Sequence, residues 1–175
     1  MYIYYYNSPL GRITLASNGI SLAGLWFDGQ KYFESTIDGE KTQKYLPVFG
    51  QAEHWLDIYF SGKDPGFTPP LSMERATSFR KTVWEILLSI QFGHTMSYGE
   101  IADIIAKQRG TGSMSAQAVG GAIAHNPVSL IIPCHRVIGS DGSMTGYAGG
   151  TDKKIQLLEL EKTGRFMENS IPGSK

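Results

Sequence analysis

The sequence holds a single cysteine, Cys134, and a histidine and an arginine follow it directly in Pro133-Cys134-His135-Arg136. The thiolate is the reactive form of cysteine, and nearby positive or proton-accepting groups favour it. A histidine near neutrality can take the thiol proton, directly or through a water. A lone cysteine is more often a small buried hydrophobe, and chain neighbours on an extended backbone point to opposite faces. Adjacency therefore does not decide between the two readings. The run Val128-Ser129-Leu130-Ile131-Ile132 is apolar and β-prone, and Pro133 ends it. It predicts a buried strand giving way to a loop at the thiol. The glycine-rich segment 140–150 follows and is able to fold over the sulfur.

The elements that must position this thiol follow from periodicity. Residues 2–6 are an aromatic, strand-prone run. Asn7-Ser8-Pro9-Leu10-Gly11 reads as a turn. Residues 12–16 alternate as a half-buried strand does. Asn18-Gly19 reads as a hairpin turn before a third strand over 20–27. The start is thus expected to be an antiparallel meander. Residues 30–45 are polar and weakly patterned. Phe49, Ala52, Leu56, Tyr59 and Phe60 recur at helical spacing, and 61–66 stops that helix. The extended 67–71 reads as a linker, with a domain boundary near 71–76.

Beyond the boundary, Phe79, Val83, Trp84, Leu87 and Ile90 form one apolar helical face, read as core; Gly93 is expected to close that helix. Ser97-Tyr98-Gly99-Glu100 is a capping-box pattern opening the next one. Residues 107–114 are basic and glycine-rich and read as a loop. A short helix of small residues follows over 115–124, and its bare surface lets the backbone approach another surface closely. Two helices joined by a loop fit a helix-turn-helix, a pattern that many helix pairs share. A last helix over 151–162 stops at Gly164, and the tail 166–175 is expected to be disordered. Glu161 falls on the face of Leu157 and Leu158, where a carboxylate calls for a buried partner. A solvated helix charge is the plainer alternative for it, as for Glu159.

Composition sets the outer bounds. At 175 residues the chain can form one medium or two small domains with a real core. One cysteine excludes an internal disulfide and a multi-cysteine zinc site, and fits a reducing compartment. No apolar run approaches a membrane span, and the N-terminus lacks the pattern of a signal peptide. The net charge is zero, which argues against bulk attraction to nucleic acid. Its distribution is uneven. Residues 1–74 carry five Lys/Arg against eight Asp/Glu, and 75–165 carry ten against seven. A polyanion would therefore meet the C-terminal part.

Asn126-Pro127, Pro133-Cys134-His135-Arg136-Val137 and Gly146-Tyr147-x-Gly149-Gly150 together resemble the active-site signature of the O6-alkylguanine-DNA alkyltransferases, the methylated-DNA–protein-cysteine methyltransferases. The likeness extends over almost the whole chain. Ser8-Pro9-Leu10-Gly11-x-Ile13-x-Leu15-Ala16 resembles the opening hairpin of that family. Phe79-x-x-x-Val83-Trp84, Ser97-Tyr98-Gly99-Glu100-Ile101-Ala102, Ala118-Val119-Gly120-Gly121-Ala122 and Lys154-x-x-Leu157-Leu158-x-x-Glu161 follow in the family's order.

The resemblance implies an α/β (α+β) fold. Residues 1–72 would form a ribonuclease-H-like antiparallel β domain with a helix. Residues 73–165 would form a helical, winged-helix-like helix-turn-helix domain that binds DNA and carries the cysteine. It implies DNA repair by irreversible, single-turnover transfer of an alkyl group from O6-alkylguanine to Cys134, with O4-alkylthymine as a second candidate lesion. By resemblance His135 takes the thiol proton through a water and Glu161 orients the imidazole, a triad logic with sulfur. Asn126 bonds backbone around the cysteine, although a plain helix C-cap before Pro127 suits Asn equally. Tyr98 turns the phosphate of the target nucleotide so that the base leaves the stack, since O6 is unreachable within it. Tyr147 covers the flipped purine, and Ser140 contacts the lesion edge or a phosphate. Arg136, Ala116, Gly120 and Gln117 belong to the surface that meets DNA and lesion. No cofactor and no metal are implied. The partner is lesion-bearing double-stranded DNA, met by a monomer in the cytoplasm, or in the nucleus of a eukaryote.

Two positions depart from the pattern. The family usually carries an arginine before Ala118-Val119-Gly120, filling the gap left by the flipped base, and here the residue is Gln117. The segment between Tyr98 and Gln117 is also about five residues longer than in short members. The alternative class is a non-catalytic binder of alkylated DNA, whose members lack the cysteine. A cysteine hydrolase is the third, and would require turnover.

Overall fold

The first three strands, β1 (Tyr2–Ser8), β2 (Gly11–Ser17) and β3 (Leu22–Phe27), pair antiparallel in sequence order. The expected meander is present. At its first turn the Ser8 hydroxyl donates to the Gly11 carbonyl and accepts from the Leu10 N–H. A two-residue β4 (Thr42–Gln43) lies parallel to β1, so the sheet order is β3-β2-β1-β4. These coordinates come from a computed structural model that describes residues 1–167. Of the tail expected to be disordered, 168–175 lie outside the described residues, while Phe166 stacks on Phe60 with centroids 6.3 Å apart.

Side-chain alternation gives the sheet two buried faces. Ile13, Leu15, Leu25 and Phe27 face α1 (Pro47–Phe60), which covers them with Phe49, Ala52, Leu56 and Tyr59. Ile3, Ala16 and Trp26 point the other way, beneath Phe33 and Ile37. The C-terminal half packs α2 (Ser78–Leu88) and α3 (Tyr98–Arg109) with α4 (Ala116–Ala124). A two-stranded parallel ribbon, β5 (Met96–Ser97) with β6 (Val137–Ile138), precedes α5 (Thr151–Thr163). Buried side chains from both halves form one continuous cluster.

Local chemistry explains the helix limits. The capping box at α3 is complete, since Ser97 accepts from the Glu100 N–H while Glu100 accepts from the Ser97 N–H. α3 runs on through Arg109, into what the sequence predicts as loop. Gly110 in the left-handed region ends it, and Lys107 and Arg109 suit the negative end of the helix dipole. α2 stops at Leu88 with Ser89 as cap, earlier than the expected stop at Gly93. Gly93 has a different use, described below.

The apolar run 128–132 is not a strand. Only Val128 bridges to a neighbour, Leu25 of β3. Leu25 donates to the Pro127 carbonyl at 2.8 Å and accepts from Ser129 N–H at 2.9 Å. Leu130 then takes a left-handed φ of 69°. Turns close from Ile131 to Ser129, Ile132 to Val128 and Cys134 to Ile132. Residues Cys134–Arg136 make one turn of 3-10 helix. Buried backbone must find partners, and here tight turns and the side chain of Asn126 supply them in place of a ladder.

Gln30 fastens this segment to the sheet. It is buried, its carbonyl oxygen accepts from the Phe27 N–H at 2.9 Å, and its side chain meets Ser129 at 3.3 Å. Gln30→Ala leaves both groups without that partner in a dry site. Urea unfolding followed by tryptophan fluorescence is expected to show a loss of about 2 kcal/mol. An unchanged midpoint would mean that the segment is held without it.

Candidate active site

Lys154, Leu157 and Glu161 lie at positions three and four apart along α5, so they form one stripe, and all three are buried. Two charges on a buried stripe require partners. Glu161 has four. Its Oε1 accepts from His135 Nε2–H at 2.6 Å and from the Tyr59 hydroxyl at 2.8 Å. Its Oε2 accepts from the Gly93 N–H at 3.0 Å and from Arg136 Nε at 2.9 Å. Arg136 also reaches the Ile90 carbonyl at 2.6 Å. The turn after α2 that holds Ile90 and Gly93 is thus shaped around this carboxylate.

The carboxylate accepts only, so Nε2 of His135 carries the proton. Nδ1 is left as the ring's free base. Nδ1 is buried and has no hydrogen-bond partner among the described residues. Burial pushes the His135 pKa below its ordinary value, outweighing the pull of Glu161. The ring is therefore neutral at neutral pH. Burial alone would push the Glu161 carboxyl up, but His135 and Arg136 bring it down to about 2. With His135 neutral, the lasting positive partner is Arg136.

Cys134 begins the 3-10 turn and is buried. Burial raises its thiol to about 11, against smaller lowering effects from Asn126, Lys154 and nearby backbone N–H groups. The resting group is a neutral thiol. Asn126 spans the approach to it, donating from Nδ2 to the Ile132 carbonyl at 2.8 Å and accepting at Oδ1 from the Val128 N–H at 3.0 Å. The C-cap of α4 is His125, so Asn126 does not fill that role. Lys154 donates to the carbonyls of Val137 and Thr145, tying α5 to the segment before Tyr147. Burial lowers the Lys154 pKa, and the nearby Cys134 opposes this.

A cavity of about 450 Å³ adjoins this interior through Thr145, which Lys154 bonds, and Tyr147, which neighbours His135; Cys134 and His135 are not in its lining. Tyr98, Gln117, Gly120 and Tyr147 are among its lining. Tyr147 is buried, its ring centroid lies 6.4 Å from that of His135, and its hydroxyl has no partner among the described residues. Tyr98 heads α3, with its hydroxyl 3.5 Å from the Thr145 carbonyl and its ring against Gly120. The phenols of both tyrosines are raised by burial first and by Cys134 second.

The residues singled out in the sequence fall into three places. Cys134, His135, Asn126 and Glu161 are together in the interior. Tyr98, Tyr147, Gln117, Ala116 and Gly120 line the cavity, and Ser140 is exposed, its hydroxyl near Gly99. Arg136 is corrected. It does not face the cavity, because Glu161 and the Ile90 carbonyl hold its guanidinium inside. Sequence reasoning missed Tyr59 and Lys154. A tyrosine in the apolar stripe of α1, and a lysine seven residues before Glu161, were the available signals.

The fold and site define a buried cysteine with a His–Glu pair, near an open cavity between α4 and the 145–148 segment. Residues 1–73 match the ribonuclease-like domain of 6-O-methylguanine DNA methyltransferase, and residues 78–163 match its DNA binding domain. A methylated-DNA–protein-cysteine methyltransferase of Methanosarcina barkeri is 45% identical over 163 residues, covering 93% of this chain and 98% of that one. Its counterpart from Mycobacterium bovis is 42% identical over 160 residues, 90% of each. The structure of Mycobacterium tuberculosis OGT in complex with DNA superposes with a TM-score of 0.82 at 40% identity, over 98% of this chain and 99% of that one. The O6-methylguanine DNA methyltransferase of Methanococcus jannaschii gives 0.63 at 30% identity, over 97% and 99%. The chain belongs to the 6-O-methylguanine DNA methyltransferase family.

The Glu161 network makes a pH prediction. Its folded pKa lies below the ordinary 4.5, at about 2. The stabilisation it brings is therefore complete above about 4.5 and is lost as pH falls toward about 2. Glu161→Gln is expected to remove that acid-limb component. It also strands Arg136, costing about 3–5 kcal/mol at neutral pH. Denaturant melts of both proteins from neutral to acid pH test this. Parallel pH curves would exclude Glu161 as the titrating group.

Proposed function

We infer that this protein repairs alkylated DNA by moving the alkyl group from the O6 atom of guanine to Cys134. The observation that carries this reading is the buried arrangement of Cys134, His135 and Glu161 beside a cavity lined by Tyr98 and Tyr147. The division of labour follows the two parts of the chain, with 73–165 meeting the DNA and 1–72 bracing it.

The thiol proton passes to Nδ1 of His135, by way of a water. The sulfur attacks the alkyl carbon in line, the S–C bond forms, and the bond from that carbon to O6 breaks with its electron pair left on oxygen. Guanine then takes up a proton and leaves unmodified. Glu161 stabilises the imidazolium as it forms. Nothing in the scheme returns the S-alkyl cysteine to a thiol, so one molecule repairs one lesion. The target base must leave the helix to reach the thiol. The exposed, small-residue face of α4, with Gln117 and Gly121, lies against the minor groove in this reading. The protein acts as a monomer.

Incubation with methylated duplex followed by intact mass is the direct test. The wild type is expected to gain one methyl group, and Cys134→Ala none while still binding DNA. Loss of methyl from guanine with Cys134→Ala would sink the mechanism. Absence of any adduct on the wild type favours a binding protein, and multiple turnovers favour a hydrolase. The single-turnover rate at saturating protein should hold as pH falls through 6.5 and drop only at the lowered pKa of His135. In His135→Ala it should be slow and climb with pH toward the thiol's own titration near 11.

Gln117 supplies an amide able to bond a base edge, without charge or cation–π stacking. Gln117→Arg is expected to tighten duplex binding and steepen its salt dependence by about one phosphate equivalent. Unaltered affinity would remove Gln117 from the position that fills the vacated stack.

A further inference from the structure

Among the described residues, one charged side chain lines the cavity shared by Gln117, Tyr98 and Tyr147, and it comes from the N-terminal half: Lys31. It is exposed and enters none of the ion pairs among the described residues. Its place is nevertheless determined. The Lys31 N–H donates to the Ala148 carbonyl at 3.1 Å, next to Tyr147. Its ammonium stands 5.1 Å from the ring centroid of Tyr32. Tyr32 in turn stacks on His125 with centroids 4.1 Å apart, and His125 donates from Nδ1 to the Gly121 carbonyl at 2.7 Å. Tyr32 and Glu34 both hold left-handed φ values, 59° and 55°. Non-glycine residues in that region store strain that surrounding contacts must hold. The 31–34 turn is thus clamped to both walls of the cavity, the end of α4 and the segment around Tyr147.

We propose that Lys31 is a DNA-contacting residue that binds a backbone phosphate at the rim of the lesion cavity. The proposal rests on the alkyl-transfer reading, and it assigns the N-terminal half a direct part in holding the substrate. An ammonium has three donors and no acceptor, and acts as a compact point charge. That chemistry suits a phosphate, which any nucleotide entering the cavity carries on either side of its sugar. The opposing wall offers only neutral groups, Gln117 among them, so the charge absent from α4 is supplied across the cavity. The whole-chain charge is zero, and a single well-placed cation then weighs more in the phosphate term.

The test is Lys31→Gln against the wild type, with binding to unmodified duplex followed by fluorescence anisotropy at several salt concentrations. A side-chain change leaves the Lys31 N–H bond to Ala148 in place. Weaker binding is expected, with a slope of log affinity against log salt shallower by about 0.9. The gap between the two proteins should narrow about threefold from about 50 to about 200 mM salt. Lys31→Arg is expected to restore the slope. An unchanged slope overturns the proposal, whether affinity is unaffected or is lost together with melting temperature; the latter result would make Lys31 a brace for Tyr32. Wild-type alkyl transfer from methylated duplex is measured alongside. Its failure would strike the alkyl-transfer reading, while the slope on unmodified duplex still decides the role of Lys31.

Discussion

A single buried carboxylate constrains the structure around the active site. An unpaired charge inside a protein is too costly to persist, so the Glu161 side chain demands donors and the chain is arranged to bring them. One comes from α1 in the N-terminal half, Tyr59. One is the backbone N–H of Gly93 after α2. Two come from the consecutive residues that follow Cys134, His135 and Arg136. These contacts join elements far apart in sequence at one point. They fix how α5 lies across the molecule, and they fix the tautomer of His135. The same set explains the early end of α2. At the Ser89 cap the helix tightens into i→i−3 turns, and beyond it Ile90 accepts from Arg136 and Gly93 donates to Glu161.

Much of the fold was legible where the governing forces are local. The meander follows from aromatic and alternating runs separated by turn residues. α1 follows from its apolar spacing, and the start of α3 from the reciprocal bonds of Ser97 and Glu100. The segment before the cysteine was misread for an equally physical reason. Its composition is that of a buried strand, but a strand needs a ladder. β3 offers only Leu25 there, and Asn126 competes for the backbone on either side. Propensity describes which backbone a residue prefers; it does not say whether a partner is available.

The site divides in the same way. Cys134, His135, Asn126 and Glu161 could be named because their motif is distinctive in sequence. Arg136 belongs to that motif but its direction does not follow from it. A cation beside a nucleophile can face either the substrate or the interior, and the choice was settled by a carboxylate 25 residues away. Tyr59 joins across 102 residues; its place in the apolar stripe of α1 signals burial but does not say which group its hydroxyl meets. Lys31 is hidden for the opposite reason. It sits in a polar, weakly patterned stretch, and only the folding of that stretch against α4 and Ala148 gives it a place.

The thiol itself shows how burial and reactivity are reconciled. A permanently ionised Cys134 would be open to oxidation and to stray alkylating agents, and a protein that acts once has no means of recovery. Burial holds it neutral, at about 11. The base that can take its proton is also buried and neutral, with Nδ1 free and Nε2 committed to Glu161. In the proposed mechanism, proton transfer creates two charges inside the protein. The charge of Lys154 then favours the thiolate, and the imidazolium faces a carboxylate already ionised and held by Arg136. Because those compensating charges are in place beforehand, the cost of reorganisation at the moment of attack is small. What remains costly in that mechanism is the buried thiolate, and that cost is relieved as its charge moves onto the departing O6. Reactivity is in this way made conditional on a correctly seated alkyl group, by the same desolvation that keeps the resting sulfur inert.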